Sequence, residues 1–352
     1  VSGAADRAER ADRAGRTEGE HLAVLDGWRG ISILLVLAAH LLPLGPKGWR
    51  LNDVAGTVGM ALFFTLSGFL ITRFLLTRDS VTDFLIRRLF RIVPLAWAGM
   101  LVALYLANAP LAALLPHLLF YANLPPQALT EPGGHLWSLC VEVQFYVGIA
   151  VVVLALGKAR LKWVIPLLAL AVTAHRVAAE APVDIVTWRR LDEILAGALL
   201  ALAWQGQFGP ACRAALRRPR AWPLITAFAI ALLLASHPGL TALNYPRPYT
   251  AALLVGLTLA EPPRHLATLL RSRWLAYVAE ISYALYVIHH LLIHTWLGTG
   301  ERMVKYAKRP LLIAATFALA HLSTFHFERH CIALGKRLSA RLRGQSLANA
   351  ER

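Results

Sequence analysis

Apolar residues come in long blocks along this chain. About ten stand out, at 31–45, 57–76, 93–109, 138–157, 161–178, 190–206, 222–236, 248–260, 274–297 and 310–331. Runs of roughly 17–25 apolar residues are the signal of a membrane-crossing helix. The alternating pattern of a lipid-facing barrel is absent, and in lipid only helices or closed barrels satisfy their own backbone. The pattern predicts an all-α, polytopic integral-membrane bundle of about ten transmembrane helices.

Composition agrees: 57% of the 352 residues are hydrophobic and 16% charged, less charge than a soluble domain carries. The net charge of +16 raises nucleic acid as a partner, but its distribution points to a bilayer. With ten spans and a cytoplasmic N-terminus, the inner loops hold 15 basic residues, Arg73, Arg78 and Arg220 among them, the outer loops 10 and the two tails 11. The positive-inside rule then places both termini in the cytoplasm. Arg302, Lys305, Lys308 and Arg309 break the rule, with four basic residues outside, and predict either a segment along the membrane surface or a misplaced span. The first 20 residues are polar with no apolar core, as in a cytoplasmic tail rather than a signal peptide. The expected organisation is a disordered tail at 1–22, one membrane domain at 23–335 and a basic cytoplasmic tail at 336–352. Cys140, Cys212 and Cys331 form neither a disulfide framework nor a metal pattern.

The first block is bounded by chemistry, in "LDGWRGISILLVLAAH" (25–40). Arg29 and His40 are eleven residues apart, which returns a helix to within about 20° of its starting direction and separates the two side chains by about 16 Å. They share one face. With Arg29 at the inner interface, His40 is expected near mid-bilayer, facing the bundle interior, where an ionisable group is a functional candidate. A structural histidine with Arg29 snorkelling to headgroups fits equally. Asp26 is expected to cap this helix.

Six more segments join it: "FFTLSGFLITRFLL" (63–76), "FLIRRLFRIVPL" (84–95), "HLWSLCVEVQFY" (135–146), "RRLDEILAGALL" (189–200), "ISYALYVIHH" (281–290) and "FHFERHCIALGKRL" (325–338). In this order they resemble the membrane-bound acyltransferase 3 family over residues 22 to 338. Trp28, Cys140, Val143, His290 and Leu291 depart from the family's usual residues. The resemblance implies an O-acyltransferase of the bacterial cytoplasmic membrane. It would carry an acyl group, most often acetyl, from cytoplasmic acyl-CoA to a hydroxyl of a surface or lipid-linked glycan or a glycosylated small molecule, with no metal.

The residues suit that chemistry. Attack of a hydroxyl on a thioester needs a base, and neutral histidine is the usual one, which makes His40 the candidate. Arg87, Arg88 and Arg91 precede Pro94, expected in the first turn of the next span. They fit the phosphates of coenzyme A or ordinary positive-inside anchoring, and Arg29 joins the phosphates or guides the acyl arm. Glu142, in an apolar helix, either orients His40 or pairs with an arginine. Arg190 or Arg189 with Asp192 forms an interfacial ion pair or meets the acceptor sugar. Ser282, Tyr286 and His289 share a helix face as packing or as a substrate-binding wall. His290 and His294 have metal-like spacing without a third ligand. The irregular stretch 110–136 is a candidate lid over the acceptor. A transporter or flippase for a glycan or anionic molecule is the competing class; mid-membrane ionisable groups fit it, but no half-repeat is evident.

Overall fold

The computed structural model describes residues 23–77, 80–218, 222–260 and 262–350, the side chains of 343–350 excepted. The tail at 1–22, Arg78 and Arg220 lie outside the described residues. Among the described residues all regular structure is helical.

Among the described residues six stretches are long and apolar enough to cross a bilayer: Ala23–Leu41, Lys47–Thr77, Val81–Leu106, Glu131–Leu156, Lys158–Ala178 and Arg309–Leu342. Within them lie α1 (Ala23–Leu41), α2 (Leu51–Thr77), α3 (Val81–Leu106), α4 (Trp137–Leu156) and α5 (Leu161–Ala178). Then come α6 (Asp192–Trp204), α7 (Trp222–Leu234) and α8 (Arg247–Leu259), of 13 residues each. These are about 20 Å long, short of a hydrocarbon layer of about 30 Å. The expected span at 274–297 is a pair, α9 (Arg273–Glu280) and α10 (Ser282–Ile293), bent by 65°; counted as one, it makes a seventh. The last expected span is α11 (Arg309–Leu322), a six-residue π-helical turn at Ser323–Glu328 and α12 (Arg329–Ala350). Among the described residues length and composition therefore support six or seven spans where ten are expected.

Two starts differ from expectation. Asp26 does not cap α1 from outside; it lies within the helix, 3.8 Å from Arg29, where an acidic group still complements the helix dipole. α3 begins at Val81, capped by Ser80, whose side chain accepts from the Asp83 N–H at 3.0 Å. It runs straight through Pro94, so packing overrides the local cost of an interior proline. Arg87, Arg88 and Arg91 thus sit on a helix, not in a loop before one. Residues 336–350, expected as a tail, continue α12. Its Ser339 is buried and hydrogen-bonds to Asp83 of α3.

The centre of the bundle is the α2–α6 crossing. A Cβ at Gly68 would stand 1.9 Å from the Ile194 carbonyl oxygen, and one at Gly197 would stand 2.0 Å from that of Thr65. Only glycine allows the two backbones so close. α1 meets α2 the same way at Gly59, against the Ser32 carbonyl oxygen. Two apolar cores lie either side of this spine. One gathers Phe64, Phe84, Met100, Tyr146 and Leu285; the other gathers Trp28, Phe69, Trp204 and Val255.

A buried ionic cluster ties α5, α6 and α8 together. Arg176 pairs with Asp192, and Arg247 reaches Glu193 at 2.9 Å, with Arg190 on the same Glu193 at 3.2 Å. Three arginines expected in outer loops are therefore interior. The ion pair expected between Arg190 or Arg189 and Asp192 is not formed. Arg189 pairs with Asp184 at 3.0 Å, because on the short α6 Asp192 faces α5 while Glu193 faces α8.

Candidate active site

α1 delivers Arg29 and His40 to different cavities. Arg29 lines one of about 460 Å³, together with Asp26, Arg91, Glu280, Glu328 and Arg329. His40 lines two others, of about 450 Å³ and about 520 Å³. These regions are the Arg29 end and the His40 end of the helix.

His40 is the penultimate residue of α1 and is exposed to its cavities. It stands at the end of its helix rather than half-way along it. The end is fixed by Asn52 at the start of α2. The Asn52 amide donates to the carbonyls of Ala39 and Leu42, both at 2.7 Å, and its oxygen accepts from Leu44 N–H at 3.3 Å. Carbonyls that a helix terminus leaves without partners are thereby satisfied.

Four histidines meet here. The His40 ring centroid is 5.1 Å from that of His289 and 5.4 Å from that of His290. His135 is 5.2 Å from His289 and 4.7 Å from His290. Each ring donates one N–H to a backbone carbonyl. His289 Nδ1 donates to Tyr286 at 2.7 Å, His290 Nδ1 to Pro132 at 3.1 Å and His135 Nε2 to Val287 at 3.1 Å. His40 Nδ1 lies 3.0 Å from the Val36 carbonyl and 3.3 Å from His289 Nε2. His289 has its proton on Nδ1, so its Nε2 is an acceptor. Both neighbours of His40 Nδ1 then accept, which assigns that proton to Nδ1 and leaves Nε2 with a free lone pair.

The 450 Å³ cavity is also lined by Asn52, Asp53, His135, Trp137, Asp184, Arg190 and Tyr286. Arg190 is 2% exposed, lies 5.3 Å over the Trp137 ring, and has Nε and one terminal nitrogen buried with no hydrogen-bond partner. Tyr286 accepts from Ser138 at 2.6 Å and donates to the His135 carbonyl. Arg190 and Tyr286 are thus brought to the cavity. Asp192 stays with Arg176, and His289, fully buried, stands behind His40. The stretch 110–136 contributes its last turn, Glu131–Leu136, as a packed wall carrying His135.

At the other end, Glu142 does not reach His40. Its carboxylate accepts from Ser67 at 2.7 Å and Tyr146 at 2.6 Å, and its charge acts on Arg29 and Arg91. Arg88 lies over the Tyr146 ring at 5.8 Å. Arg87 turns away to Asp83, at 2.5 Å. Of the three arginines on α3, Arg91 joins Arg29 in the cavity.

The sequence reading passed over Asn52, Asp53, His135, Trp137 and Asp184. Only His135 and Trp137 carried a signal, as part of the "HLWSL" segment. Among the described residues, no group of three histidine, cysteine, aspartate or glutamate side chains is arranged to hold a metal ion.

Comparison with known proteins extends this picture. The sequence model of a family described as an acyltransferase domain matches residues 22–320. The peptidoglycan O-acetyltransferase OatA of Listeria monocytogenes is 26% identical over an alignment covering 88% of this chain and 56% of its own. A provisionally named membrane-bound transacylase, BcsY, of Komagataeibacter xylinus is 31% identical over 39% of this chain and 38% of its own. A provisionally named O-acetyltransferase of Staphylococcus aureus is 32% identical over 38% of this chain and 24% of its own. The chain spans about half the length of the first of these and less of the others. No solved structure matches.

Proposed function

The chain belongs to the acyltransferase-domain family and is an integral-membrane acyltransferase; from that premise we propose that it moves an acyl group, most often acetyl, from acyl-CoA to a carbohydrate hydroxyl, with His40 as general base. The observation that carries the proposal is the placing of one helix, α1. It sets Arg29 in a cavity at one end and a histidine with a free Nε2 in two cavities at the other. The distance between them, about 16 Å along the helix, is one that a flexible pantetheine arm bridges.

In this reading Arg29 and Arg91, with Arg88 near them, meet the phosphates of the acyl donor from the cytoplasmic side of a bacterial inner membrane. Arg190, with two orphaned nitrogens, and Tyr286 bind the acceptor. His40 Nε2 takes the hydroxyl proton as the oxygen attacks the thioester carbonyl. The tetrahedral adduct collapses, the C–S bond breaks, and the proton on Nε2 passes to the departing thiolate. His289 and the Val36 carbonyl hold the tautomer that makes Nε2 the base, and Asn52 holds the ring's place. Glu142 works at the Arg29 end, keeping the arginines in position. The acceptor is a surface or lipid-linked glycan or a glycosylated small molecule. No such set of observations supports transport.

The test uses membranes containing the chain or its His40→Ala variant, supplied with labelled acetyl-CoA and a glycan extract. Label is followed into base-labile esters by mass spectrometry. Loss of a general base lowers transfer by about 10²- to 10⁴-fold, with the variant inserted and eluting as the parent does. Transfer unchanged in the variant refutes His40 as base.

A further inference from the structure

The 520 Å³ cavity beside His40 has a composition the acyl-transfer chemistry does not require. It is lined by Lys47, Arg50, Arg302 and Arg309, with Asp53 as its one carboxylate. Arg50 already engages that carboxylate at 2.5 Å. Arg309 lies over the Tyr306 ring at 5.1 Å, and its Nε and one terminal nitrogen are buried with no hydrogen-bond partner. Buried donors without an acceptor are costly and rare. Lys308, which lies between them in sequence, folds back onto the carbonyls of Trp296 and Thr299 and pins the segment that presents Arg302 and Arg309. These are the residues that break the positive-inside pattern.

We propose that this cavity seats an anionic group, a phosphate, pyrophosphate or carboxylate, carried by the same acceptor molecule whose hydroxyl meets His40. The inference rests on the acyl-transfer reading and narrows its acceptor to anionic glycans. His40 lines both this cavity and its 450 Å³ neighbour, so a molecule lying across the two presents a hydroxyl to the imidazole while its charge rests on Arg302 and Arg309. A space of 520 Å³ is about 10 Å across, room for a sugar ring with a charged substituent. Arginine forks bind such oxyanions in pairs of hydrogen bonds. Lipid headgroups share the phosphate chemistry. An arginine that anchors to headgroups, however, carries its charged end out to them, whereas the two Arg309 nitrogens are shielded.

The experiment titrates pyrophosphate onto the full chain in phosphatidylcholine nanodiscs, with Arg302→Ala/Arg309→Gln and Arg29→Ala/Arg91→Ala compared. Expected is a salt-sensitive site weakened roughly tenfold or more by the Arg302/Arg309 change and kept in the Arg29/Arg91 variant. Where the double variant does not fold, the single Arg302→Ala change, on an exposed residue, and Lys47→Ala each weaken the same site. No binding to the parent, or binding indifferent to these changes, overturns the proposal. Discs containing phosphatidylglycerol separate the two sources. Complete displacement of pyrophosphate by that lipid, with retained lipid found on the chain by native mass spectrometry, assigns the seat to a headgroup and also overturns it. Persistence of the pyrophosphate site supports it. No acyl donor is present, so the titration reads anion binding without turnover, whereas transfer is read in membranes by the formation of base-labile esters. Failure of the acyl-transfer reading and failure of this one are therefore read separately.

Discussion

The two ends of α1 carry similar numbers of arginines but differ in charge balance. At the Arg29 end three cations, Arg29, Arg91 and Arg329, share a cavity with three carboxylates, Asp26, Glu280 and Glu328. Arg329 is paired to Glu280 at 2.8 Å. In the 520 Å³ cavity at the His40 end four cations face one carboxylate. Counting basic residues by loop predicts the reverse, a cationic inner mouth and a quieter outer one. The difference teaches that a cavity's charge follows from which partners the helices bring alongside, not from the tally of a loop. It also separates two ways of holding an anion. A balanced cavity binds by exchanging carboxylate partners for phosphate, which suits a donor that must leave after each turnover. An unbalanced one is preset for its ligand.

The largest test of that comparison removes the frame common to both ends. Gly197→Ala places a methyl group 2.0 Å from the Thr65 carbonyl oxygen, and backbone cannot yield as a flexible side chain does. The α2–α6 crossing must open, so the variant is expected to give no monodisperse folded protein in detergent. A variant that folds and keeps one end working would show the ends to be independent units. Next in size, Arg29→Ala or Arg91→Ala is expected to raise the KM for acyl-CoA roughly tenfold or more, by loss of charged hydrogen bonds, and to leave the acceptor KM within twofold. A rise in the acceptor KM instead would erase the division of labour.

Much of this was legible beforehand, and the misses share one cause. The membrane class followed from apolar blocks, since the bilayer imposes length and hydropathy on every span. Arg29 and His40 were placed on one face by helical periodicity alone. Which residues lie opposite them was not readable. Asn52 and Asp184 line the His40 cavities with nothing local to mark them, and Arg309, marked by the broken charge pattern, carried no sign of where it would sit. Asp192 and Glu193 are neighbours in the first turn of α6, yet point at different partners, Arg176 and Arg247. The end of α1 at Leu41 was missed because Leu42, Pro43 and Leu44 extend the apolar run past the last helical turn. The family resemblance supplied the reaction class that periodicity could not.

A smaller effect tests whether Arg87 belongs to the donor cavity. Its guanidinium is held on Asp83, which is 3% exposed. Arg87→Ala takes a charged partner from that buried carboxylate and is expected to cost roughly 1–3 kcal/mol, read as a lower midpoint of thermal unfolding. The KM for acyl-CoA should stay within twofold. A tenfold rise would return Arg87 to the phosphate site beside Arg91.

The smallest effect lies in the wall of the 450 Å³ cavity, which Asp184 lines. Burial pushes the Asp184 carboxyl up, but the N–H of Val186, the Arg189 guanidinium and the N–H of Ile185 donate to it and together hold it below the usual aspartate value. A carboxylate whose folded pKa is depressed adds stability that is fully present above its unfolded value, about 4. That contribution is lost as pH falls through the folded value. The contribution of this partly exposed pair is expected to stay below about 1 kcal/mol. The gap in unfolding midpoint between the parent and Asp184→Ala should therefore be small and constant from about pH 5 to 8, closing only below about pH 4. Because the same turn leads directly into Arg190, acceptor binding should follow that profile, while binding at the Arg29 end is indifferent to it. An acid-labile donor site with an acid-stable acceptor site would invert the assignment of this loop.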